Sequence, residues 1–419
     1  MESFLARETR LSEKERRNLE ILDAIRRGGE ISRADISKLT DLNIVTVSNY
    51  VGKYIKNKLV FETGLDISTG GRRPELLKLN RQHGYSLGID LGAPHLTIDS
   101  SLRAVVMDLS GAIVARKSVK KEYCSFEKMT EKVMDLAGDI VDSLGINSQD
   151  VKGIGVGIWG VMDRYKGTVR YAVENEQIVS YMGLLNQLEM RFGVPAVIEH
   201  DATLAAFGER WSGLGAGSTA DNLIFMCSDS SCGLVVRGEL YYGASKSAGE
   251  LNLNPPYSGG DEKPVNCWET YEKGCCMRSR GIDLGVQSSA RELAKKSPDE
   301  ARAILEKAGG DIEKVDLDSV IAASEDGDMP ATRILEEAGS YLGAKMSFLI
   351  NLFNPEVVIV GRGIEKTGDI FFSAVRRSVK RWAYDETVKI VKILPTSLGE
   401  EVVAVGAAGL VIQDFFAKV

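Results

Sequence analysis

A turn between two short apolar segments contains the residue types that bear on phosphate chemistry in this chain. The segments Leu223–Cys227 and Leu234–Val236 are predicted strands of a hairpin, and the turn between them includes Ser228–Cys232. A glycine-rich turn at such a place can bind an anion, because its bare backbone N–H groups reach the phosphate oxygens. This turn instead carries the carboxylate of Asp229 where the anion would have to lie. The chain is therefore an enzyme that has lost a phosphate loop, or another kind of protein built on the same frame.

The bulk composition is that of a water-soluble globular protein. The chain has 419 residues, enough for two or three domains, with 44% hydrophobic and 26% charged residues. Its start, MESFLARETR, has no apolar signal segment, and no later apolar run is long enough to span a membrane. We therefore expect a cytoplasmic protein without a membrane partner. Its six cysteines are then expected to be reduced.

Charge is distributed unevenly along the chain. Residues 1–80 contain 15 Lys and Arg against 12 Asp and Glu, whereas the whole chain has a net charge of −7. A slightly basic head on an acidic body is typical of a small nucleic-acid-binding module attached to a larger domain.

The order of predicted elements in the head is that of a winged helix-turn-helix. Ser12 and Glu15 form a capping box for a first helix, and two more helices are predicted at 33–39 and 44–56. Strands at 59–61 and 75–79 flank the turn Gly70–Pro74 and form the wing. In such a module the last helix enters the major groove of DNA. The alternative is a small helical interaction domain with a basic, solvent-facing side.

Six polar side chains of the head are predicted to contact DNA. They are Thr46, Ser48, Asn49, Lys53, Arg72 and Arg73. The first three lie on the helix face opposite the apolar Val47 and Val51, so they are expected to reach base edges. Lys53 is expected to meet a phosphate, which positions the protein without reading sequence. The two arginines, at the tip of the wing, suit a narrow minor groove.

The body of the chain repeats one pattern of elements. A strand meander, a helix, a strand and a further helix occur twice, which indicates two similar α/β domains with a cleft between them. This is the actin-like and sugar-kinase (ribonuclease H-like) architecture, in which ligands bind at the strand ends. We assign the winged helix-turn-helix to residues 1–80, a first α/β lobe to 81–200, and a second lobe to 201–403 with a helical insertion at about 265–325. The last helix, 404–419, is expected to pack back on the first lobe.

Eight segments, in order along nearly the whole chain, resemble the ROK family (repressors, open reading frames, kinases). They are ISRADISKLTDLNIVTVSNYV and GGRRP in the head, and GIDLGA, DLSG, VIEHDATLAAFGE, GELYYGASKSAGEL, NLFNPEVVIVGRG and VGAAGLV in the body. The resemblance is to the repressor branch, typified by xylose and N-acetylglucosamine repressors. Because the segments are collinear, the resemblance is more specific than any one of them.

The resemblance implies a sugar site. Its residues would be Gly160, Asn175, His200, Asp201 and Glu250. Asp201 stands at the position of the family's catalytic base, which takes a proton from the hydroxyl that attacks ATP; from the sequence alone it could equally cap a helix. Leu253 replaces the family's sugar- and zinc-binding histidine, and Met277 replaces a sugar-contacting glutamate. The implied pocket is therefore less polar than that of members that bind plain hexoses.

The family's zinc motif is not kept in this chain. Gly274 and Cys275 fall in register with that motif and Cys267 is one place out; an irregular site formed by Cys267, Cys275 and Cys276 is the alternative. Tetrahedral zinc needs thiolates or imidazoles at fixed spacing. We therefore expect no metal site.

The nucleotide side of the resemblance is degenerate. Its implied residues are Asp90, Gly92, Gly233, Gly361 and Gly363. The first phosphate loop lacks its threonine hydroxyl and contains Pro94. In the second loop Cys227, Asp229 and Ser231 stand where the family has glycine, so side chains occupy the space that phosphate would need. This pattern argues against ATP binding, and we expect no cofactor.

The residues and the resemblance together predict a transcriptional regulator without kinase activity. It would bind operator DNA through the winged helix and a sugar-like effector in the interlobe cleft, as a homodimer or higher homo-oligomer. Two alternatives remain: an ATP-dependent sugar kinase with a DNA-binding head, and a protein-binding module whose pocket binds nothing.

Overall fold

The computed structural model describes residues 11–65, 75–92, 101–120, 126–163, 168–171, 177–212, 219–251, 280–281 and 283–419. The chain divides into two compact units: unit 1 is Met1–Gly213 with Val403–Val419, and unit 2 is Leu214–Val402. The head therefore groups with the first α/β lobe. The boundary between the lobes lies at 213/214, so the helix after His200, which we expected to begin the second lobe, belongs to unit 1.

The head consists of three helices and a three-stranded antiparallel sheet. Its elements are α1 (Glu13–Gly28), β1 (Ile31–Ser32), α2 (Arg33–Thr40), α3 (Ile44–Lys56), β2 (Val60–Leu65) and β3 (Glu75–Leu79). The strand order is β1-β3-β2. The predicted capping box of α1 is confirmed, because Ser12 accepts the N–H of Glu15 and the Glu15 side chain accepts the N–H of Ser12. The predicted winged layout is present.

The remainder of unit 1 is built on a five-stranded mixed sheet. Its strands and helices are β4 (Tyr85–Asp90), β5 (Ser101–Asp108), β6 (Ile113–Lys120), α4 (Phe126–Asp142), β7 (Val151–Ile158), β8 (Val161–Asp163), β9 (Thr168–Tyr171), β10 (Gln177–Ser180), α5 (Met182–Phe192), β11 (Ala196–His200) and α6 (Asp201–Trp211). The large sheet has the order β11-β7-β4-β5-β6, with β11, β7 and β4 parallel. A small antiparallel sheet, β10-β9-β8, was not predicted from the sequence.

Unit 2 has a sheet of the same size and kind. Its elements are β12 (Leu223–Met226), β13 (Cys232–Val236), β14 (Glu239–Leu240), α7 (Val286–Lys296), α8 (Arg302–Lys307), α9 (Leu317–Glu325), α10 (Met329–Phe353), β15 (Val357–Val360), α11 (Gly368–Trp382), α12 (Asp385–Val388) and β16 (Lys392–Pro395). The strand order is β14-β13-β12-β15-β16, with β12, β15 and β16 parallel. An antiparallel hairpin beside parallel strands thus occurs in both units, as the repeated sequence pattern predicted.

The long helix α10 packs closely against α11 through glycines. A Cβ on Gly339 would lie 2.5 Å from the carbonyl oxygen of Phe371, and one on Gly343 would lie 2.6 Å from that of Val375. Any larger residue would force the two helices apart. Among the residues that the structure describes, no helix is both long and apolar enough to cross a membrane.

The last helix, α13 (Val402–Lys418), packs on unit 1 through one glycine of β4 and one of its own. A Cβ on Gly88 of β4 would lie 1.9 Å from the carbonyl oxygen of Ala404. A Cβ on Gly406 would lie 1.9 Å from the carbonyl oxygen of Leu204, in α6. The helix α13 therefore lies directly on the sheet and against α6, in the unit where we expected it.

Candidate functional site

The helix that the sequence predicts to enter the major groove is α3, and its two faces differ in burial. Asn43 caps the helix, because its side-chain oxygen accepts the N–H of Thr46 at 2.8 Å. Val47, Val51 and Tyr54 are buried in the core of the head. The predicted DNA contacts Ser48, Asn49 and Lys53 are exposed on the other side, whereas Thr46 is half-buried at its edge. Arg72 and Arg73 lie outside the described residues.

One exposed residue of this face escaped the sequence prediction. Val45 is 65% exposed and lies one turn before Asn49. The sequence contained the information needed to find it, since residues two positions apart on a helix are separated by about 200° and so lie on nearly opposite faces. Because Val47 faces the core, Val45 must face solvent, but an apolar side chain is usually assigned to the core.

The head is attached to the end of the chain through a buried asparagine. Asn18 of α1 donates hydrogen bonds to the carbonyl oxygen of Ala417 (3.1 Å) and to a backbone oxygen of Val419 (2.7 Å). Its side-chain oxygen accepts the hydroxyl of Tyr54, in α3, at 2.8 Å. The recognition helix is therefore linked through one side chain to the C-terminus of α13.

A second contact joins the head to the end of α6. The guanidinium of Arg26 donates to the carbonyl oxygen of Trp211 (3.2 Å) and lies 4.1 Å from the centroid of its ring. Burial lowers the pKa of Arg26, and an ion pair with Asp23 at 2.8 Å opposes that effect. A charged group that keeps an ion pair while buried is held in one geometry.

Three predicted ligand or nucleotide residues of unit 1 meet at one edge of its sheet. In the parallel pairings, Asp90 on β4 lies opposite Gly157 on β7, and Ile158 on β7 lies opposite His200 on β11. The carboxyl ends of three adjacent strands therefore bring Asp90, Gly160 and Asp201 to the same edge. In α/β sheets this edge is where ligands bind.

The pair His200 and Asp201 is buried at the start of α6. Asp201 is 1% exposed, and its Oδ1 accepts the N–H of Ala202 at 2.7 Å. The Nε2 of His200 lies 3.5 Å from the same Oδ1. His200 occupies the N-cap position, so Asp201 is the first helical residue rather than the cap. A carboxylate accepts hydrogen bonds and an imidazole can donate or accept them, so the pair is able to bind a hydroxyl group.

The two loops beside this pair adopt conformations that favour glycine. Gly92 has φ +62° and donates its N–H to Oδ1 of Asp90 at 2.8 Å. Gly160 has φ +113°, after Trp159 at the end of β7. Both turns start at the carboxyl end of a strand. The predicted ligand residue Asn175 lies outside the described residues.

In unit 2 the turn that the resemblance likens to a phosphate loop contains a buried carboxylate that is hydrogen-bonded within the protein. Asp229 is fully buried and accepts hydrogen bonds from the hydroxyl of Tyr341 (2.6 Å) and the backbone N–H of Arg280 (2.8 Å). The guanidinium of Arg280 lies 3.9 Å from the centroid of the Tyr341 ring. Donors that could serve an anionic ligand are thus used within the chain.

The other predicted nucleotide glycines of unit 2 have structural roles. Gly233 pairs with Phe225 inside the hairpin. A Cβ on Gly361 would lie 2.6 Å from the ring of Phe225. Gly363 has φ +104° and donates its N–H to Glu365 at 2.6 Å, and burial raises the pKa of that carboxyl. Packing and turn geometry are therefore sufficient to account for Gly361 and Gly363.

Glu250, which is predicted to bind the sugar, lies beside the turn that contains Asp229. Cys232 donates its N–H to the carbonyl oxygen of Gly249 (2.8 Å), and Leu251 donates to that of Ser230 (2.8 Å). Gly249 has φ +101°, and a Cβ there would lie 2.0 Å from the carbonyl oxygen of Cys232. The turn thus fixes the backbone on both sides of Glu250.

The metal prediction concerns a segment that the structure does not describe, since Cys267, Cys275 and Cys276 fall within residues 252–279. Elsewhere, no group of three or more His, Cys, Asp or Glu among the described residues could hold a metal ion. The expected loss of the zinc site stays a prediction.

Comparisons with known proteins agree with this architecture. A xylose repressor of Bacillus subtilis (strain 168) is 27% identical over 400 residues, covering 94% of each chain. The crystal structure of a ROK family transcriptional regulator, a homologue of the Escherichia coli MLC protein, aligns with a TM-score of 0.70 and 19% identity over 97% of this chain and 98% of its own. A ROK family glucokinase from Streptomyces griseus aligns with a TM-score of 0.63 and 24% identity over 78% of this chain and 99% of its own.

The match to the ROK family itself extends over residues 86–414, which is most of the chain and begins after the head. The alignment with the xylose repressor covers 94% of the chain, so it must include most of the winged helix. This chain therefore belongs to the ROK family, and it is of the family's transcriptional-repressor type.

Proposed function

We propose that this protein represses transcription by binding operator DNA through α3 and its wing, and that a sugar or sugar derivative controls the binding. The observation that carries the proposal is the exposed polar and basic face of α3, with Ser48, Asn49 and Lys53 on it, opposite a buried apolar face. Similarity to xylose repressors over 94% of the chain supports both parts of the proposal.

The proposed effector site is the carboxyl edge of the unit 1 sheet. Asp201 and His200 supply the polar groups, and the turn at Gly160 follows the strand next to theirs in the sheet. The resemblance adds Asn175 and Glu250 as proposed contacts. Since Leu253 and Met277 replace a histidine and a glutamate of the family pattern, the proposed effector is less polar than a plain hexose.

The effector is testable by thermal unfolding against a panel of pentoses, hexoses, acetylated and phosphorylated sugars. A ligand at 100 times its Kd stabilises the folded protein by about 2.7 kcal/mol. We expect one class of sugar to raise Tm, and Asp201→Asn to remove that shift while leaving the Tm of the free protein within a few degrees. A panel without any shift would overturn the proposed effector.

The second candidate function is a sugar kinase with a DNA-binding head, and the buried carboxylate of Asp201 is the observation in its favour. The occupied turn around Asp229 counts against it, because a phosphate would have to displace an internal hydrogen-bonded carboxylate. We expect no ADP release above background with any sugar that raises Tm. Turnover that disappears in Asp201→Asn would establish the kinase instead.

The wing is a separate part of the proposal. Arg72→Ala combined with Arg73→Ala should weaken operator binding and lower the slope of log K against log salt by nearly two, because each phosphate contact releases about one counterion. Gel shifts at several salt concentrations measure both quantities. Unchanged binding would show that the wing does not contact DNA, and it would not affect the proposed role of α3.

We also propose a homodimer that places two heads on a pseudo-palindromic operator, as dimeric helix-turn-helix proteins do. Light scattering of the full chain, with and without the effector, measures its mass. Selected DNA sites without two-fold symmetry would contradict the dimeric arrangement.

A further inference from the structure

Two aliphatic side chains stand exposed on the first turn of the recognition helix. Val45 is 65% exposed and Ile44 is 46% exposed. Single exposed aliphatic residues are common and need no explanation. These two are adjacent, however, and they lie at the end of α3 that a helix-turn-helix protein inserts deepest into the major groove.

Val45 is the first member of a stripe that runs the length of α3. The stripe consists, at successive spacings of three, one, three, one and three residues, of Val45, Ser48, Asn49, Gly52, Lys53 and Lys56. This spacing keeps all six on one side of the helix, opposite the buried Val47 and Val51. A Cβ on Gly52 would have no neighbour within 4 Å, so the middle of the stripe is open to a close partner.

The charge of the stripe selects the kind of partner. Residues 44–58 contain three lysines and no acidic residue, and all three lysines are exposed. None of the described carboxylates lies within ion-pair distance of Lys53 or Lys56. A partner that covers both the lysines and the aliphatic pair must carry negative charge beside an apolar group. The major groove of DNA has that combination, with phosphates at its rim and the C5-methyl group of thymine at its floor.

We propose that Val45, with Ile44 beside it, recognises thymine through the C5-methyl group, so that T·A pairs lie opposite the first turn of α3 in each half-site. This inference rests on the proposed function and names the base that the helix prefers. The methyl group is the one apolar feature that a base edge offers in the major groove, and aliphatic side chains contact it directly. Ser48 and Asn49, one turn further along, contact the neighbouring base pairs.

The test first selects operator sites from random DNA with the full-length protein. Each thymine of the selected site is then replaced singly by uracil, which removes the methyl group and keeps the Watson–Crick and groove hydrogen-bonding atoms. We expect the wild-type protein to lose about fourfold in affinity at one or two positions in each half-site, as for one buried methyl group. Val45→Ala should bind the thymine and uracil sites equally.

The matched control is Val114→Ala, the same substitution at an exposed position of β6, in unit 1 but outside the head. It should keep the full difference between thymine and uracil. Sites selected without thymine at any fixed position, or a wild-type protein indifferent to every uracil, would overturn the inference while leaving operator binding intact. A difference that persists in Val45→Ala would also overturn it, as would an equal loss on both DNAs that leaves their ratio unchanged. Failure to select any site would overturn the proposed function and the inference with it.

Discussion

At the scale of single residues, the surroundings of Cys232, at the end of the turn that contains Asp229, predict how reactive its thiol is. This thiol is buried, and burial, with the negative charge of Glu250 nearby, raises its pKa to about 12. The positive charge of Lys345 opposes the shift without cancelling it. Because the thiolate is the nucleophile, the side chain should be inert between pH 7 and 9.

Alkylation of the native protein with iodoacetamide, read peptide by peptide by mass spectrometry, measures this inertness. Cys232 should stay unmodified at pH 9 and react fully after denaturation. The rate of an ordinary thiol, with a pKa of about 8.5, levels off above that pH because the thiol is then mostly thiolate. Modification of Cys232 in the native protein at a rate that levels off near pH 9 would contradict the raised pKa.

The sequence predicts the positions of some residues of the candidate site better than those of others. Asp201 and Asp90 follow apolar runs, so their place at the carboxyl ends of strands could be predicted from local pattern alone. Val45 could not be given a role in this way, because an apolar side chain is assigned to the core unless its phase on the helix is compared with Val47. The partners of Asp229 could not be predicted either, since Tyr341 is 112 residues away along the chain.

At the scale of elements, the attachment of the head depends on Asn18. Its side chain joins α1 to α3 through Tyr54 and to the end of α13 through two backbone oxygens. Asn18→Ala leaves these buried groups without that partner, which costs roughly 1–3 kcal/mol. We expect faster amide hydrogen exchange in both α3 and the C-terminal residues.

The control for this substitution is Asn57→Ala, at an exposed position just after α3. It should leave the exchange of the C-terminal peptide unchanged, because Asn57 lies in the same head without facing α13. Equal exchange rates in Asn18→Ala and the wild-type protein would show that the head is held by other contacts.

Local sequence predicted the elements better than it predicted their grouping. The capping box at Ser12 and the apolar phase of α3 are short-range signals, and both were read correctly. The membership of α6 in unit 1 depends instead on α13, through the close approach of Gly406 to Leu204. Contacts between residues about 200 positions apart leave no periodic trace in a sequence. The strands β8, β9 and β10 were missed because each has only three or four residues.

At the scale of the whole molecule, α6 connects the proposed effector site to the head. It begins with Asp201 and ends with Trp211, whose carbonyl oxygen and ring both contact Arg26 of α1. A ligand bound at the first residue of a rigid helix can shift its last residue, and the head would then respond. Linkage requires the reverse effect to be equal: if the effector changes operator affinity by some factor, the operator changes effector affinity by the same factor.

We expect Arg26→Ala to reduce this coupling factor, which is typically 5- to 150-fold in allosteric proteins, to near one, while effector and DNA each still bind. The measurement is the Kd of the effector with and without saturating operator. Arg27→Ala is the matched control, because it removes the same charge from the next position of α1 and also an ion pair with Asp23, but no contact with Trp211. A coupling factor that falls equally in both variants would reflect charge alone, and one that survives in Arg26→Ala would show that the coupling does not depend on the contact between Arg26 and Trp211.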